Sequence, residues 1–482
     1  MIRVGYWHVA RAGLGLTIGY GMSLIGGVLS LTIYARMLGP QIYGRLAVYL
    51  ALVEAFQGVC FQWHRLALVR YWNPSEQQEA DSYLVTSHLT GIVIAVIGGT
   101  GWLIAVLASD GLRMEFAAVA AVALAKSAAL YTQEIARAAG AILRYALASL
   151  LLTVGATAAG IAAWSATHSM MLTLYATAFV FILQTVICGY DHIGAFWRAH
   201  FDKALLGKML RYGLPLIPVF LATTALTRID RPILAAFENT GVVGIYAATS
   251  GLLANAIAAS CLLVVTPSYP WLLRERKRRS ESGHKRLHTQ IGMLMLAGML
   301  AICVTIFLSR DLTLPLLLGR AIGAAAQPLV LPVLAIAVIG AFRTHFFDQA
   351  YHLHARTKAL MGINISTLCI AACAVYWGAR FAGLHGVLVG LLVANVFSLI
   401  ASATFARKLV DMSRVVKGCT LLLAISGTAI LCGSFSRVAL DHLSYSSVWV
   451  TCVSTAIGMA LFAGLYLGGN IGSVRFAIAG KL

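Results

Sequence analysis

The sequence has few charged residues, and their scarcity excludes most soluble folds. Asp, Glu, Lys and Arg together make up 11% of the 482 residues, against about 25% in an average soluble protein. Hydrophobic residues make up 60%, which also excludes intrinsic disorder, because disordered chains have low hydrophobicity. The nine cysteines are scattered and form no CxxC pair, so a disulfide scaffold is excluded as well. What remains is a chain that crosses a membrane many times.

Long apolar stretches are abundant instead. A membrane-spanning helix needs about 20 mostly apolar residues. Fourteen stretches meet this requirement, at 14–38, 42–64, 84–108, 115–136, 143–166, 170–191, 213–237, 241–268, 289–309, 324–350, 359–378, 383–406, 415–434 and 447–468. The first is longer than the apolar core of a signal peptide, about 7–15 residues, so we interpret it as a span. The sequence therefore predicts an all-α polytopic membrane protein with about fourteen transmembrane helices.

Lys and Arg are distributed unevenly between the loops on the two sides of these spans. If both termini are cytoplasmic, most of the 36 basic residues lie in cytoplasmic segments. The opposite side holds only Arg113, Arg310, Arg320, Arg380 and Arg437. This bias favours a multi-pass protein with both termini in the cytoplasm. The net charge of +19 thus mainly orients the chain, and the basic run at 274–286 indicates contact with anionic lipid rather than nucleic acid.

A faint internal repeat relates two parts of the chain at an offset of 200 residues. Residues 33–52 align with residues 233–252, and Gly44 and Gly244 are among the identical positions. Six spans per repeat give both copies the same orientation, which predicts two six-helix lobes related by a pseudo-two-fold axis along the membrane normal. We expect the first lobe at 1–200, the second at 201–408 and two additional helices at 409–482.

Two regions resemble one transporter family. The run YARMLGPQIYGRLAVY (34–49) resembles the N-terminal signature of bacterial polysaccharide-unit transporters. The runs YGLPLIP (212–218), RIDRPIL (228–234) and VGIYAATSGL (243–252) resemble the seventh and eighth spans of the same family. The family comprises the Wzx-type oligosaccharide flippases of the multidrug/oligosaccharidyl-lipid/polysaccharide (MOP) exporter superfamily. The resemblance implies the MATE-like fold of that superfamily.

The same resemblance implies a function and partners. A Wzx-type protein exports a lipid-linked oligosaccharide, usually on an undecaprenyl pyrophosphate carrier, across the bacterial inner membrane. Its cargo serves the synthesis of O-antigen, exopolysaccharide or capsule. Membrane lipids and a polymerase or export complex are the other partners implied, and nucleic acid is not.

Ionisable residues inside the predicted spans are costly unless they face a cavity or a partner. The basic ones are candidates for a cationic substrate site: Arg36, Arg45, Lys126, Arg228, Arg231 and Arg343. The candidates for ion coupling are Glu54, Glu134, Asp230, Asp348 and His345. An excess of base in the interior suits an anionic pyrophosphate and sugar head group, whereas an exporter of cations would need an acidic interior.

The first of these residues also have structural interpretations. Arg36 and Arg45 lie near helix ends, where they could extend to the outer interface. Lys126 is in the middle of its span and shares a helix face with Glu134 and Arg137. That face predicts a cavity lining at Lys126, while Glu134 and Arg137 could form a local ion pair.

The seventh span carries Arg228 and Arg231 on one face, with Pro232 directly after them. Two planar guanidinium groups on one side of a kinked helix suit a phosphate. Asp230 could serve as their counter-ion, could titrate, or could complete a neutral cluster that only fixes packing.

The tenth span carries three polar residues on one helix face, His345, Asp348 and His352. An imidazole and a carboxylate side by side could carry a proton. A role in packing or in lining a cavity is the alternative, and no metal site is predicted.

Other functions stay open at this point. No GxxxxGK[ST] motif occurs, so we predict no cofactor, and an ion gradient or removal of the product must drive transport. Within the superfamily, a MATE-type multidrug cation exporter and a lipid II flippase are the alternatives. A membrane-embedded polysaccharide polymerase or glycosyltransferase is less favoured, because the longest predicted outer loop, 310–323, has no room for a catalytic domain. We therefore predict a transporter and not an enzyme.

Overall fold

The structure is a computed structural model that describes residues 2–72, 77–108, 113–190, 194, 197, 199–276, 278–354, 356–441 and 446–469. Within these residues the chain is helical throughout and contains no strand. In the same part of the chain, 12 helical stretches are long and apolar enough to cross a membrane. Two of them are broken in the middle, so they hold two predicted spans each. The all-α polytopic architecture predicted from the sequence is confirmed.

The helices of the first half follow the predicted spans closely. Their bounds are α1 Ile2–Cys60, α2 Gln62–Tyr71, α3 Gln77–Ala108, α4 Arg113–Ala138, α5 Ile142–Leu150, α6 Ala156–Thr167, α7 Met170–Gly189, α8 Lys203–Gly213, α9 Ile217–Arg228 and α10 Asp230–Phe237. A π-helical turn, Leu151–Gly155, joins α5 to α6 into one span, and a 3-10 turn, Leu214–Leu216, joins α8 to α9.

The helices of the second half are longer on average. Their bounds are α11 Thr240–Glu275, α12 Glu281–Leu318, α13 Arg320–Ala326, α14 Val330–Phe342, α15 Asp348–Leu353, α16 Thr357–Ala406, α17 Met412–Asp441 and α18 Ser447–Gly468. A 3-10 turn, Gln327–Leu329, and a π-helical turn, Arg343–Phe347, connect α13, α14 and α15 into one span.

Helix α1 contains the first two predicted spans, separated at Gly39. This glycine has φ +69° and ψ 174°, a backbone conformation that residues with a Cβ rarely adopt. Pro40 follows and lacks the N–H that a continuing helix needs. The Gly-Pro pair thus divides α1 where the sequence predicted the turn.

Helix α16 contains the eleventh and twelfth predicted spans, which fold back on each other. The break lies at Ala382 and Gly383, whose φ is +53°. On either side of it, Gly378 and Gly386 approach so closely that a Cβ on one would collide with the carbonyl of the other. Small residues on both arms let the two backbones meet.

The seventh span differs from the prediction in its position. It was predicted at 213–237, whereas the helices begin at Lys203: α8 and α9 cover Lys203–Arg228, and α10 continues to Phe237 after an interruption at Ile229. Pro232 has no N–H to donate to the carbonyl of Arg228 four residues earlier. The helix therefore breaks before the proline rather than at it, and Pro232 lies in the first turn of α10.

The chain divides into two compact units. The first comprises Met1–Tyr34 and Arg45–Pro232, and the second comprises Ala35–Gly44 and Ile233–Leu482. In the first unit α4 packs against α3 and α7; in the second, α12 packs against α11, α13, α14, α17 and α18. The lobes predicted at 1–200, 201–408 and 409–482 stay a prediction, and residues 470–482 of the last lie outside the described residues.

Candidate functional site

In the first unit, α1 and α9 are in close contact near the charged residues Glu54 and Arg228. A Cβ on Gly58 of α1 would collide with the side chain of Thr224 on α9. Glu54 lies one turn before Gly58, and Arg228 lies one turn after Thr224. The glycine therefore lets two helices approach closely enough for a carboxylate and a guanidinium 174 positions apart to meet.

Glu54 is the centre of a cluster of basic residues, all within the first unit. Arg228 Nε lies 2.5 Å from Glu54 Oε2, and Lys126 Nζ lies 3.6 Å from Glu54 Oε1. Arg231 interacts electrostatically with the same carboxylate, and its Nε is buried with no hydrogen-bond partner among the described residues. The sequence suggested Arg228 and Arg231 as a pair but gave no link between them and Glu54 or Lys126, and the fold places all four together. We call Glu54, Lys126, Arg228 and Arg231 the cationic cluster.

The cationic cluster is partly open. The side chains of Glu54, Arg228 and Lys126 keep 33%, 31% and 22% of their exposure, so a ligand can reach them without unfolding. Within these four residues one carboxylate faces three cations, so the cluster as defined carries an excess of two positive charges. Arginine offers a planar fork of donors and lysine a point charge, and the two together suit a group with several anionic oxygens.

Two further ion pairs flank the cluster along the same helices. Arg45 of α1 pairs with Glu115 of α4, which also accepts a hydrogen bond from Tyr49. Near the other end of α4, Arg65 Nη2 donates to Glu134 across 2.7 Å. The contacts follow the order Arg45–Glu115, Glu54–Lys126 and Arg65–Glu134, so α1 with α2 runs parallel to α4. This direction is the one the fourteen-span topology requires for the second and fourth spans.

The flanking pairs differ from the cluster in their charge balance. Glu134 also pairs with Arg137 at 2.7 Å, in the local i, i+3 arrangement that the sequence predicted. Arg45 remains 40% exposed at one end of the row. These contacts give Arg45 and Glu134 structural partners, and the roles in substrate binding and ion coupling that the sequence suggested for them stay predictions.

In the second unit, Arg343 forms an ion pair with Asp348, a residue of the same span. Its Nη2 donates to both oxygens of Asp348, at 3.0 and 2.8 Å, and to Asn364 Oδ1 at 2.5 Å. All three side chains are buried. The pair forms across the π-helical turn, whose wider spacing brings residues five apart into register. Arg343 therefore has a complete local counter-charge.

The same turn alters the face that the sequence predicted for His345 and Asp348. That prediction used the 100° spacing of an α-helix, which does not hold from Arg343 to Phe347. In the described part of the chain His345 is half-buried and makes no hydrogen bond or ion pair, whereas Asp348 is bound by Arg343. A proton relay between the two stays a prediction without a contact that supports it.

Two nominated residues remain, Arg36 and Asp230. Arg36 is in the second unit, where its Nη1 donates to the Leu316 carbonyl across 2.7 Å. Leu316 belongs to the last turn of α12, whose free carbonyls carry partial negative charge, so Arg36 caps that helix end. Asp230 is buried at the start of α10.

A separate cavity of about 350 Å³ lies among α2, α3, α4 and α7 of the first unit. Its lining surface is mostly apolar and includes no residue of the cationic cluster, and its polar members are His64, His88, Ser127, Tyr131, Thr132, Thr185 and Tyr190. His64 Nε2 is hydrogen-bonded to Ser87 at 3.2 Å. Among the described residues no group of three or more His, Cys, Asp or Glu side chains is arranged to hold a metal ion.

The sequence indicated the charged residues of the candidate site but not several of the residues that contact them. Glu115, Tyr49, Arg65 and Asn364 complete the ion pairs described above, but none was singled out for that role. Their partners lie 21 to 70 positions away, so no local spacing could have indicated them. A helical periodicity shows which residues share a face but not which helix that face meets.

Comparison with known proteins supports the fold. No family model matches the chain and no curated protein sequence matches it. Among solved structures, the lipid II flippase MurJ in an inward closed conformation superposes with a TM-score of 0.67 at 13% identity, over 96% of this chain and 99% of that one. A mutant of the Vibrio cholerae MATE transporter VcmN superposes with a TM-score of 0.51 at 13% identity, over 83% and 98%. The chain thus shares the fold of the flippase MurJ and of a MATE transporter, which is the MATE-like fold predicted from the sequence.

Proposed function

We propose that the protein is a flippase that moves a lipid-linked oligosaccharide, carried on undecaprenyl pyrophosphate, across the bacterial inner membrane. The observation that carries the proposal is the cationic cluster, in which Glu54 forms ion pairs with Lys126 and Arg228 and interacts electrostatically with Arg231. Charged groups at this depth are expensive unless they serve a function. An excess of two positive charges complements a pyrophosphate.

The mechanism follows from the chemistry of such a cargo. The head group is anionic and hydrophilic, and the cationic cluster gives it a place to bind inside the membrane-spanning part of the protein. The polyprenyl tail stays in the lipid throughout. Alternating access, in which the head-group site opens first to the cytoplasm and then to the other side, completes the transfer. The exported unit would then supply O-antigen, exopolysaccharide or capsule synthesis through a polymerase or export complex.

The test removes the two arginines of the cluster. The variant R228A/R231A should lose at least about tenfold in export at normal protein levels, because truncating buried charge contacts weakens binding strongly. The matched control is R380A, which removes an exposed arginine from α16 and should keep full export. Export is measured in a host that lacks its own copy, as the side of the inner membrane on which lipid-linked oligosaccharide accumulates. Full export by R228A/R231A would refute the phosphate-binding role.

Lipid II flipping is the second candidate, because the likeness to MurJ covers nearly all of both chains. Lipid II also carries a pyrophosphate, so the cationic cluster suits either cargo. Competition separates them: excess lipid II should leave oligosaccharide transport by the purified protein unchanged if the proposal holds. A multidrug exporter would instead transport cationic dyes without any lipid-linked sugar, which an electropositive site disfavours.

A further inference from the structure

We infer that Glu54 is a built-in substitute for the cargo's phosphate: it occupies the cationic cluster when the site is empty and is displaced when the anionic head group binds. The inference rests on the proposed function and goes beyond it, since it assigns Glu54 the role of a competing anion instead of an ion-coupling group. Its starting point is geometric, because Glu54 already holds the place in which a phosphate oxygen would meet Arg228.

The contacts of Glu54 are those an anionic ligand would use. One carboxylate oxygen lies 2.5 Å from Arg228 Nε and the other 3.6 Å from Lys126 Nζ. Carboxylate and phosphate oxygens are both acceptors for these donors. A phosphate cannot take the same guanidinium edge while Glu54 holds it, so the two anions compete for Arg228.

The charge balance explains why such a substitute is needed. Without Glu54, three cations would face each other in an empty site inside the membrane-spanning region, where an uncompensated charge is costly. With Glu54 in place the empty site carries an excess of two charges instead of three. The substitute therefore lowers the cost of the empty transporter's return step, while it lowers the affinity for the cargo by competition.

The other two carboxylates of the row of ion pairs, Glu115 and Glu134, do not have this arrangement. Glu134 faces Arg65 and Arg137 and Glu115 faces Arg45 and Tyr49, so neither is surrounded by three cations. Glu54 is also the more exposed carboxylate, at 33% against 14% for Glu134. Glu134 accordingly provides a matched control: the same side chain on the same row of ion pairs, but outside the cationic cluster.

The experiment measures binding of inorganic pyrophosphate to the purified full-length protein by calorimetry. We expect E54Q to bind pyrophosphate about tenfold more tightly than the wild type, the usual size of a coupling between competing ligands, and E134Q to bind like the wild type. The double variant E54Q/R228A should lose the gain. E54D keeps the charge on a shorter side chain and should give an intermediate affinity, which also covers the case in which E54Q folds poorly. Equal or weaker binding by both E54Q and E54D would overturn the inference.

Transport gives a second readout that separates this inference from the proposed function. In vesicles, E54Q should show a lower half-saturating concentration of lipid-linked oligosaccharide, because the cargo no longer competes with Glu54. Its maximal transport rate should also be lower, because the empty transporter returns more slowly to the state that binds the cargo. If the wild type moves the cargo and E54Q changes neither quantity, the inference fails and the proposed function stands. If E54Q gains pyrophosphate affinity but neither protein moves the cargo, the proposed function fails and the competition by Glu54 stands.

Discussion

Gly44 and Gly244 lie back to back, and their contact is reciprocal. A Cβ on Gly44 would collide with the Thr240 carbonyl and meet the Gly244 nitrogen, and a Cβ on Gly244 would collide with the Pro40 carbonyl and meet the Gly44 nitrogen. Each contact thus has a counterpart 200 residues away. Reciprocal contacts of this kind are the mark of a two-fold relation between the contacting segments. The identity of Gly44 and Gly244 in the sequence alignment thus coincides with a contact between residues 40–44 and 240–244, while the two-lobe arrangement stays a prediction.

The first prediction concerns this glycine pair. Gly44→Ala should destabilise the protein by about 1–3 kcal/mol, the usual cost of forcing extra atoms into a closely packed contact. Gly101→Ala is the control, because a Cβ there meets nothing within 4 Å. The measurement is the thermal unfolding midpoint of each variant in detergent.

The reciprocity of the same contact can be tested with the double variant G44A/G244A. A single Cβ already separates the two backbones, so the second should cost less than the first and the two effects should not add. Additive effects would show that the two glycines pack independently of each other.

The second prediction concerns Gly213, the last residue of α8. A Cβ there would collide with the ring of Trp63, which is buried on α2. We expect Gly213→Ala to cost about 1–3 kcal/mol. Gly207 on the same helix is exposed and free of neighbours, so Gly207→Ala should stabilise α8 by up to about 1 kcal/mol, the difference in helix propensity. Opposite shifts of the unfolding midpoint would verify the prediction, and equal shifts would contradict it.

The third prediction concerns the buried pair Arg343–Asp348. Arg343→Met should destabilise the protein by about 3–5 kcal/mol, because it leaves the Asp348 carboxylate buried without its counter-charge. The double variant R343M/D348L should recover much of that loss, since it removes the orphaned charge. Folded yield and unfolding midpoint report the effect. If R343M instead keeps its stability and loses affinity for pyrophosphate, Arg343 belongs to the substrate site as the sequence suggested.

The fourth prediction concerns Arg45, which the sequence also nominated for substrate binding. Its ion-pair partner is Glu115, and Arg45 itself is 40% exposed at one end of the row of ion pairs. Exposed ion pairs contribute at most about 1 kcal/mol to stability. Arg45→Gln should therefore lower stability only slightly and leave pyrophosphate affinity unchanged, whereas R228A should clearly weaken that binding. Loss of affinity in both variants would place Arg45 in the cationic cluster's function.

Much of the fold could be predicted because it follows from local rules. Span lengths reflect the thickness of the bilayer, and Gly39 with Pro40 marks a break by their own backbone chemistry. The start of the seventh span was predicted too late for a reason that is also local. Its helix begins at Lys203, inside a segment whose several charges are typical of a loop. The pair Glu134–Arg137 was predicted because its members are three residues apart on one helix.

The same distinction between local and long-range interactions applies to the candidate site. By itself, the sequence determined that the chain crosses the membrane repeatedly, which residues interrupt its helices, and that basic groups remain inside the spans. Only the tertiary structure decided that Lys126, Arg228 and Arg231 share Glu54 and that Arg36 caps α12. The reason is that an ion pair depends on distance in space, and helix packing brings together charges that lie 72 to 177 positions apart along the chain.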